Sequence, residues 1–183
     1  MKPEEKARVK IDQWLTESGW KVINRDEFEA DSSAVAVREA LLKGNKEADY
    51  FLFINGKAVG VLEAKREEID VAQQIVCDQA EGYARGVPSY YTAYQKPLPF
   101  IYTSNGKHHY CRDYRKKDST YEEISVMHKP KKLAELLGIE DPFAGLPTLN
   151  PKGLRACQYE AITELEKSFR NGQNRALMVL ATG

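Results

Sequence analysis

Residues 47–67 read EADYFLFINGKAVGVLEAKRE, and they predict the centre of the fold. Two apolar runs, 49–54 and 57–65, flank the dipeptide Asn55-Gly56, which strongly favours the two-residue turn of a β-hairpin. We therefore predict a strand over 49–54 and an antiparallel partner over 57–65. Because a hairpin folds the chain back on itself, the start of the first strand is expected beside the end of the second.

Periodic apolar residues predict further helices and strands on both sides of this hairpin. Residues 34–42 are ambiguous, because their start alternates like a strand while the run REALLK favours a helix, and we prefer a strand at the start. The remaining predictions are a helix over 4–18, a strand over 20–23, a loop over 25–33, a helix over about 70–85, strands over 100–104 and 108–112, and a helix over 131–137.

Glu63 and Lys65 are residues of this hairpin with an evident chemical use. Residues i and i+2 of a strand project from one face, so these two side chains point together while Ala64 points away. Asp49 opens the partner strand, and the hairpin places it across from Glu63. Two carboxylates at one sheet edge suit Mg²⁺, and the backbone carbonyl of Ala64 could add a third ligand. Lys65 would hold or help deprotonate an attacking water and offset negative charge.

A Glu-x-Lys pair alone is weak evidence, since it arises by chance about once per couple of hundred residues. Here, however, the pair ends an apolar strand, an aspartate opens the partner strand, and a helix follows. That helix carries Gln79 and Tyr83, which share one face because they are four residues apart. They are either a core-facing tyrosine with a polar neighbour or a polar pair directed at the site or at a DNA backbone.

The hairpin and the following helix carry a set of residues that resembles the PD-(D/E)xK nucleases, in the subgroup with a QxxxY motif: Asp49, Glu63-Ala64-Lys65 and Gln79-x-x-x-Tyr83. Residues 47–67 are similar to the nuclease core of the restriction subunit of type I restriction–modification enzymes. The first helix, which ends ESGW, is placed as in that family.

This resemblance implies an α/β fold with a mixed sheet flanked by helices. It implies a Mg²⁺-dependent endonuclease that hydrolyses double-stranded DNA and works with modification (methyltransferase) and specificity subunits. Two departures stand out. Ala48 replaces the proline of the motif name, and the acidic residue that the family often carries in its first helix could be Glu4 or Glu5.

The C-terminal part of the chain predicts a second unit. Three prolines and two glycines between 140 and 153 predict a linker, which separates a nuclease domain over 1–139 from residues 154–183. The latter predict a helix and an apolar strand over 175–180 that has no partner strand. They resemble the truncated start of a superfamily-2 helicase motor.

Four residues of this C-terminal unit match nucleotide-binding motifs of such motors. Arg155 and Gln158 lie where these motors read adenine, and Thr182 and Gly183 belong to the start of a phosphate loop. We expect ATP to bind only where that loop continues to its lysine and hydroxyl residue.

Composition gives weaker constraints. Lys+Arg and Asp+Glu are equal at 27 each, which counts mildly against a nucleic-acid partner. The basic stretches 107–117 and 129–132 are either solvated loops or phosphate contacts. The three cysteines form no CxxC pair, and neither a secretory signal nor a membrane span is predicted, so the cytoplasm is the expected location.

Two other functions remain open at this point. A repair or recombination nuclease fused to a helicase would carry the same motifs. A non-catalytic module that binds DNA or protein could keep the same fold, and the neutral charge suits it slightly. The complete Asp49, Glu63 and Lys65 set favours a nuclease.

We predict that the 183-residue chain does not bind or hydrolyse ATP, because it contains the first residues of the phosphate loop and not its lysine. Calorimetric titration with Mg-ATP measures this directly. Saturable binding in the micromolar range would contradict the interpretation of residues 154–183 as the start of a motor.

Overall fold

The computed structural model describes residues 3–29, 34–42, 44, 46–140, 147–170 and 176–179. In these ranges the helices are α1 (Pro3–Glu17), α2 (Gln74–Arg85), α3 (Pro130–Leu137) and α4 (Ala156–Arg170). The strands are β1 (Lys21–Asn24), β2 (Ala34–Leu41), β3 (Glu47–Ile54), β4 (Lys57–Ala64), β5 (Thr92–Ala93), β6 (Phe100–Ser104), β7 (His109–Asp113) and β8 (Glu122–Glu123). A 3₁₀ turn, Arg25–Glu27, follows β1.

These strands form one mixed sheet in the spatial order β1-β2-β3-β4-β6-β7-β8, with β5 paired to β4. β4 lies near its centre, because it pairs antiparallel with β3 and parallel with β6. Asn55 and Gly56 both have positive φ, at 48° and 71°, as the tight turn between β3 and β4 requires. The predicted hairpin and the predicted α/β class are confirmed.

Helices cover both faces of the sheet. Alternate residues of β3 divide between two apolar clusters, as the period of two along a strand requires. Tyr50, Leu52 and Ile54 lie in the cluster that contains α1 and α3 residues. Phe51 and Phe53 lie in the cluster that contains α2 residues. The hairpin is therefore buried between helices, and its polar ends lie at one edge of this core.

A half-buried polar contact fixes α1 to the sheet. The Asp12 carboxylate accepts two hydrogen bonds from one edge of the Arg38 guanidinium, at 3.2 Å from Nε and 2.8 Å from Nη2. It also accepts a bond from the Tyr50 hydroxyl at 2.9 Å. Since Tyr50 is the residue after Asp49, this clamp holds α1 over the start of β3.

Three segments differ from the sequence predictions. The whole of 34–41 is a strand, so the helical preference of REALLK yields to sheet pairing: Arg38 pairs with both β1 and β3, and Ala40 and Leu41 pair with β3. α2 begins at Gln74 and not near 70, because Asp70 accepts the Ala72 N–H in a turn and Thr103 bonds the Val71 carbonyl. The short strands β5 and β8 were not predicted, because two residues carry no periodicity.

The strand predicted over 175–180 is wrong for its described part, 176–179, which has no regular secondary structure. Leu177 is 90% exposed and Val179 is 81% exposed, and residues 176–179 pair with no strand in the part of the chain that the structure describes. Of the predicted linker, residues 147–153 have neither helix nor strand, and 141–146 lie outside the described residues. Among the helices in the described ranges, none combines the length and hydrophobicity needed to cross a membrane.

Gly60 shows how tightly the central strands pack. A Cβ at this position would lie 2.9 Å from the carbonyl oxygen of Phe100 on β6. We predict that Gly60→Ala lowers the free energy of unfolding by about 1–3 kcal/mol, measured by urea denaturation.

Gly82→Ala is the matched control, because a Cβ on this exposed α2 residue meets nothing within 4 Å. This variant should gain up to about 1 kcal/mol from helix propensity. Equal effects of the two substitutions would contradict the packing described for β4 and β6.

Candidate active site

The start of β3 and the end of β4 bring two carboxylates together. Tyr50 pairs with Leu62, so Asp49 lies opposite Glu63 one residue further along the hairpin. The Ala64 N–H donates to Asp49 Oδ2 at 2.8 Å, which fixes the aspartate side chain against the end of β4. Backbone pairing and this bond thus place both acids at one edge of the sheet.

Glu63 is the buried member of the pair, with 1% of its residue surface exposed. Its Oε1 accepts a hydrogen bond from Lys65 Nζ, while Oε2 is buried with no hydrogen-bond partner in the described part of the chain. Burial and, second, the charge of Asp49 raise the pKa of Glu63 to about 7, against the opposing effect of Lys65. A buried carboxylate oxygen without a donor is a position where a bound cation would be stabilised.

Lys65, Gln79 and Tyr83 form a chain of hydrogen bonds beside the carboxylates. Lys65 Nζ donates to Gln79 Oε1 at 3.0 Å, and Gln79 Nε2 donates to the Tyr83 hydroxyl at 2.6 Å. The structure therefore brings all five predicted side chains together. Gln79 lies nearer the carboxylates than Tyr83 does, as we predict from the sequence. Their catalytic roles stay predictions.

The sequence analysis missed two residues of this site. Arg8 of α1 donates from Nη2 to Asp49 Oδ1 at 2.6 Å and from Nη1 to Glu39 Oε1 at 2.9 Å. Glu39 has a φ of 49°, a left-handed conformation that is rare for glutamate. Such strain often clusters at functional sites. No spacing rule predicts these residues. Arg8 is far from Asp49 in the sequence, and the backbone of Glu39 departs from the regular strand conformation on which such rules depend.

The oxygen atoms at this end of the hairpin fit the ligands that Mg²⁺ prefers. Asp49 and Glu63 supply hard oxygen ligands, and the Ala64 carbonyl is within the same strand end. No group of three or more His, Cys, Asp or Glu side chains converges as a metal site in the ranges that the structure describes. The pair still fits Mg²⁺, because this ion is commonly held by one or two carboxylates and keeps several waters.

The remaining predicted site residues lie in α1 and in the C-terminal part of the chain. Of the two candidate acids of the first helix, Glu5 is exposed near the start of α1, and the side chain of Glu4 lies outside the described residues. In α4, the side chain of Gln158 accepts a bond from the Arg155 N–H at 2.9 Å. Thr182 and Gly183 lie outside the described residues.

One basic stretch contributes to internal contacts. Arg112 pairs with Glu81 of α2 at 2.6 Å, and Arg115 pairs with Asp113 at 2.7 Å. The Arg112 guanidinium also lies 4.8 Å from the ring centre of Tyr114. These two arginines of 107–117 therefore brace β7 against its neighbours, which favours the structural interpretation for them.

Comparison with known proteins gives concordant matches. Residues 25–137, more than half of the chain, match the family described as the second domain of the EcoKI type I restriction enzyme endonuclease subunit. The EcoKI endonuclease subunit of Escherichia coli K12 is 27% identical over 243 residues, which cover 98% of this chain and 20% of that protein. The chain thus spans about a fifth of this relative.

A solved fragment assigned to the HsdR subunit of a type I restriction enzyme from Vibrio vulnificus YJ016 is 26% identical. The match covers 100% of this chain and 35% of that chain, with a TM-score of 0.47.

The raised pKa of Glu63 predicts an unusual pH dependence of stability. Between pH 4.5 and about 7 the folded protein binds more protons at Glu63 than the unfolded chain does, so its free energy of unfolding falls as pH rises through this window. Glu63→Gln removes this cost, and without metal at pH 8 it should be more stable than the wild type by on the order of 2–3 kcal/mol.

Urea denaturation in EDTA at pH 5 and pH 8 measures this difference, which should shrink at the lower pH. Adding Mg²⁺ at pH 8 should stabilise the wild type and leave Glu63→Gln unchanged. A variant that is less stable at both pH values would show that Glu63 is an ordinary structural ion pair.

Proposed function

The chain belongs to the family of the second domain of the EcoKI type I restriction enzyme endonuclease subunit, and we propose that it is a Mg²⁺-dependent endonuclease domain that hydrolyses the phosphodiester bonds of double-stranded DNA. The observation that carries the proposal is the buried Glu63 carboxylate, which faces Asp49 on one side and Lys65 on the other. Lys65 binds one oxygen of this carboxylate, and the other is buried without a donor among the described residues, a costly feature that a bound metal ion would offset.

Asp49, Glu63 and the Ala64 carbonyl are the groups that would hold the ion. Bound Mg²⁺ supplies charge neutralisation at a phosphate oxygen and lowers the pKa of a coordinated water. Asp49 is pre-oriented for this role by the Ala64 N–H, so its carboxylate does not need to reorganise. This placement of both acids by backbone hydrogen bonding supports a PD-(D/E)xK interpretation of the site.

Lys65 is the proposed catalytic amine. Its side chain is 27% exposed, so it remains accessible to solvent while the ammonium group pairs with Glu63. During hydrolysis a water oxygen adds to phosphorus and the bridging oxygen leaves, and negative charge builds on the phosphoryl oxygens between these events. Lys65 is placed to hold the water and to offset that charge.

Gln79 and Tyr83 are proposed to orient Lys65. Gln79 accepts one hydrogen bond from the lysine amine, so it fixes the direction of the remaining N–H groups. Tyr83 in turn accepts a bond from the Gln79 amide, which sets which end of that amide faces the lysine. The pair would therefore act through Lys65, and direct contact with the DNA backbone is the alternative role for it.

The partners of the complete protein are part of this proposal. The name of the E. coli relative places it in a type I restriction enzyme, and this supports a complex with modification and specificity subunits that acts on DNA in the cytoplasm. Residues 154–183 are proposed to lead into an ATP-dependent motor, with Gln158 contacting adenine and Thr182 and Gly183 contributing to the phosphate loop. The alternative of a non-catalytic module is disfavoured by the complete set of three site residues.

The central functional prediction is cleavage of supercoiled plasmid DNA in Mg²⁺ and none in EDTA. Lys65→Ala should lower the cleavage rate by about 100-fold or more, because it removes the cation beside the reacting phosphate. Lys57→Ala is the matched control, since Lys57 is exposed at the opposite end of the same strand and should leave the rate unchanged.

The assay is run with the 183-residue chain and with the complete endonuclease subunit in its restriction complex. Absence of Mg²⁺-dependent cleavage in both settings would overturn the proposal. A Lys57→Ala effect equal to that of Lys65→Ala would show that the loss reflects charge or folding.

Gln79→Ala is predicted to lower the turnover number by roughly 10-fold, because Lys65 loses its orienting acceptor. Tyr83→Phe should have a smaller effect, since it removes only the bond that orients Gln79. Single-turnover cleavage kinetics separate these changes from DNA binding. Unchanged rates in both variants would make the pair structural.

A further inference from the structure

Arg8 contacts the carboxylate that the proposed function assigns to metal binding. Its Nη2 lies 2.6 Å from Asp49 Oδ1, and its Nη1 lies 2.9 Å from Glu39 Oε1. The Asp49 side chain is only 16% exposed, so this is not an ordinary solvent-screened surface pair. Because Ala64 already donates to Oδ2, Arg8 binds the other oxygen of the carboxylate.

The contact between Arg8 and Asp49 gives the second carboxylate of the site a positively charged partner. Asp49 and Glu63 would repel each other if both were ionised without a cation nearby. Lys65 lies against Glu63, and Arg8 lies against Asp49, so each carboxylate has its own positive partner. With the carboxylates ionised these four groups sum to zero, and Glu39, which also binds Arg8, leaves the cluster with a net charge of −1 before any metal arrives.

We propose, on the basis of the function proposed above, that Arg8 is a positioning residue that substitutes for the metal at Asp49 and sets the metal affinity of the site. A divalent cation that binds Asp49 would be repelled by the Arg8 guanidinium, because that positive charge lies within hydrogen-bond distance of the same carboxylate. The two cations compete for the same carboxylate, so Arg8 weakens metal binding and keeps Asp49 in place when the metal is absent.

Glu39 would hold the Arg8 side chain after a metal ion has displaced it from Asp49. Its carboxylate holds the second nitrogen of the guanidinium, and its backbone is fixed in the left-handed region between residues paired to β3. Arg38 and Ala40 on either side pair with Tyr50 and Ala48, so the irregular residue lies directly across from Asp49. The acidic residue that anchors Arg8 is therefore built into the strand next to the site.

Mn²⁺ binding at pH 8, followed by the electron paramagnetic resonance signal of the free ion, tests this proposal with the whole 183-residue chain. Arg8→Gln should bind Mn²⁺ roughly tenfold more tightly than the wild type, because one positive charge beside the ligand is gone. Arg8→Lys, which keeps the charge, should stay close to the wild type.

Lys10→Gln is the matched control, since it removes one positive charge from the same helix at an exposed pair with Glu67. Its Mn²⁺ affinity should change by less than about twofold. Circular dichroism confirms that each variant is folded before titration.

The outcomes separate the two proposals. A wild-type chain whose Mn²⁺ binding is the same in Glu63→Gln has no metal site here, and the proposed function fails. If Glu63→Gln abolishes binding but Arg8→Gln binds no more tightly than the wild type, the role of Arg8 is overturned. Equal tightening in Arg8→Gln and Arg8→Lys would also overturn it, because charge would not be the cause.

Discussion

The electrostatic repulsion between the carboxylates of Asp49 and Glu63 is the constraint on which the rest of this site depends. Two acids are held at the end of a buried hairpin, and one of them is almost completely removed from water. Burial of an unpaired carboxylate is among the more costly features that a fold can contain, and here one oxygen of Glu63 has no donor among the described residues. The neighbouring cations Lys65 and Arg8 reduce this cost but leave that oxygen open.

The fold around the pair keeps it from relaxing. β4 lies between β3 and β6 and is buried along most of its length, so Glu63 cannot turn towards solvent without breaking strand pairing. On the opposite side, the clamp formed by Asp12, Arg38 and Tyr50 holds α1 over the hairpin and so presents Arg8 to Asp49. A stable sheet thus maintains a locally unfavourable arrangement, as is common where structure serves chemistry.

The sequence predicts the parts of this structure that follow from local rules. The Asn55-Gly56 turn and the apolar runs on either side of it predict the hairpin and the convergence of Asp49 with Glu63, and the i,i+2 rule predicts the common face of Glu63 and Lys65. The four-residue spacing of Gln79 and Tyr83 predicts their common face. The strand over 34–41 is only partly predictable, because its second half has a helical preference that sheet pairing overrides.

The contacts of Arg8 could not be predicted in this way. They join three elements that are distant in the sequence, and one partner, Glu39, sits on a backbone conformation that no pattern of residue types signals. The prediction of a strand over 175–180 fails for the opposite reason. The composition of this run favours a strand, but a strand exists only with a neighbour to accept its hydrogen bonds, and residues 176–179 have none in the described structure.

Diffraction from crystals of the chain grown at pH 8 and soaked in Mn²⁺ would locate the ion by its anomalous scattering. The account predicts one strong peak at roughly 2 Å from an oxygen of Asp49 and from an oxygen of Glu63, with the Ala64 carbonyl as a further ligand. A map with no peak between these carboxylates, at an Mn²⁺ concentration that supports DNA cleavage, would contradict it.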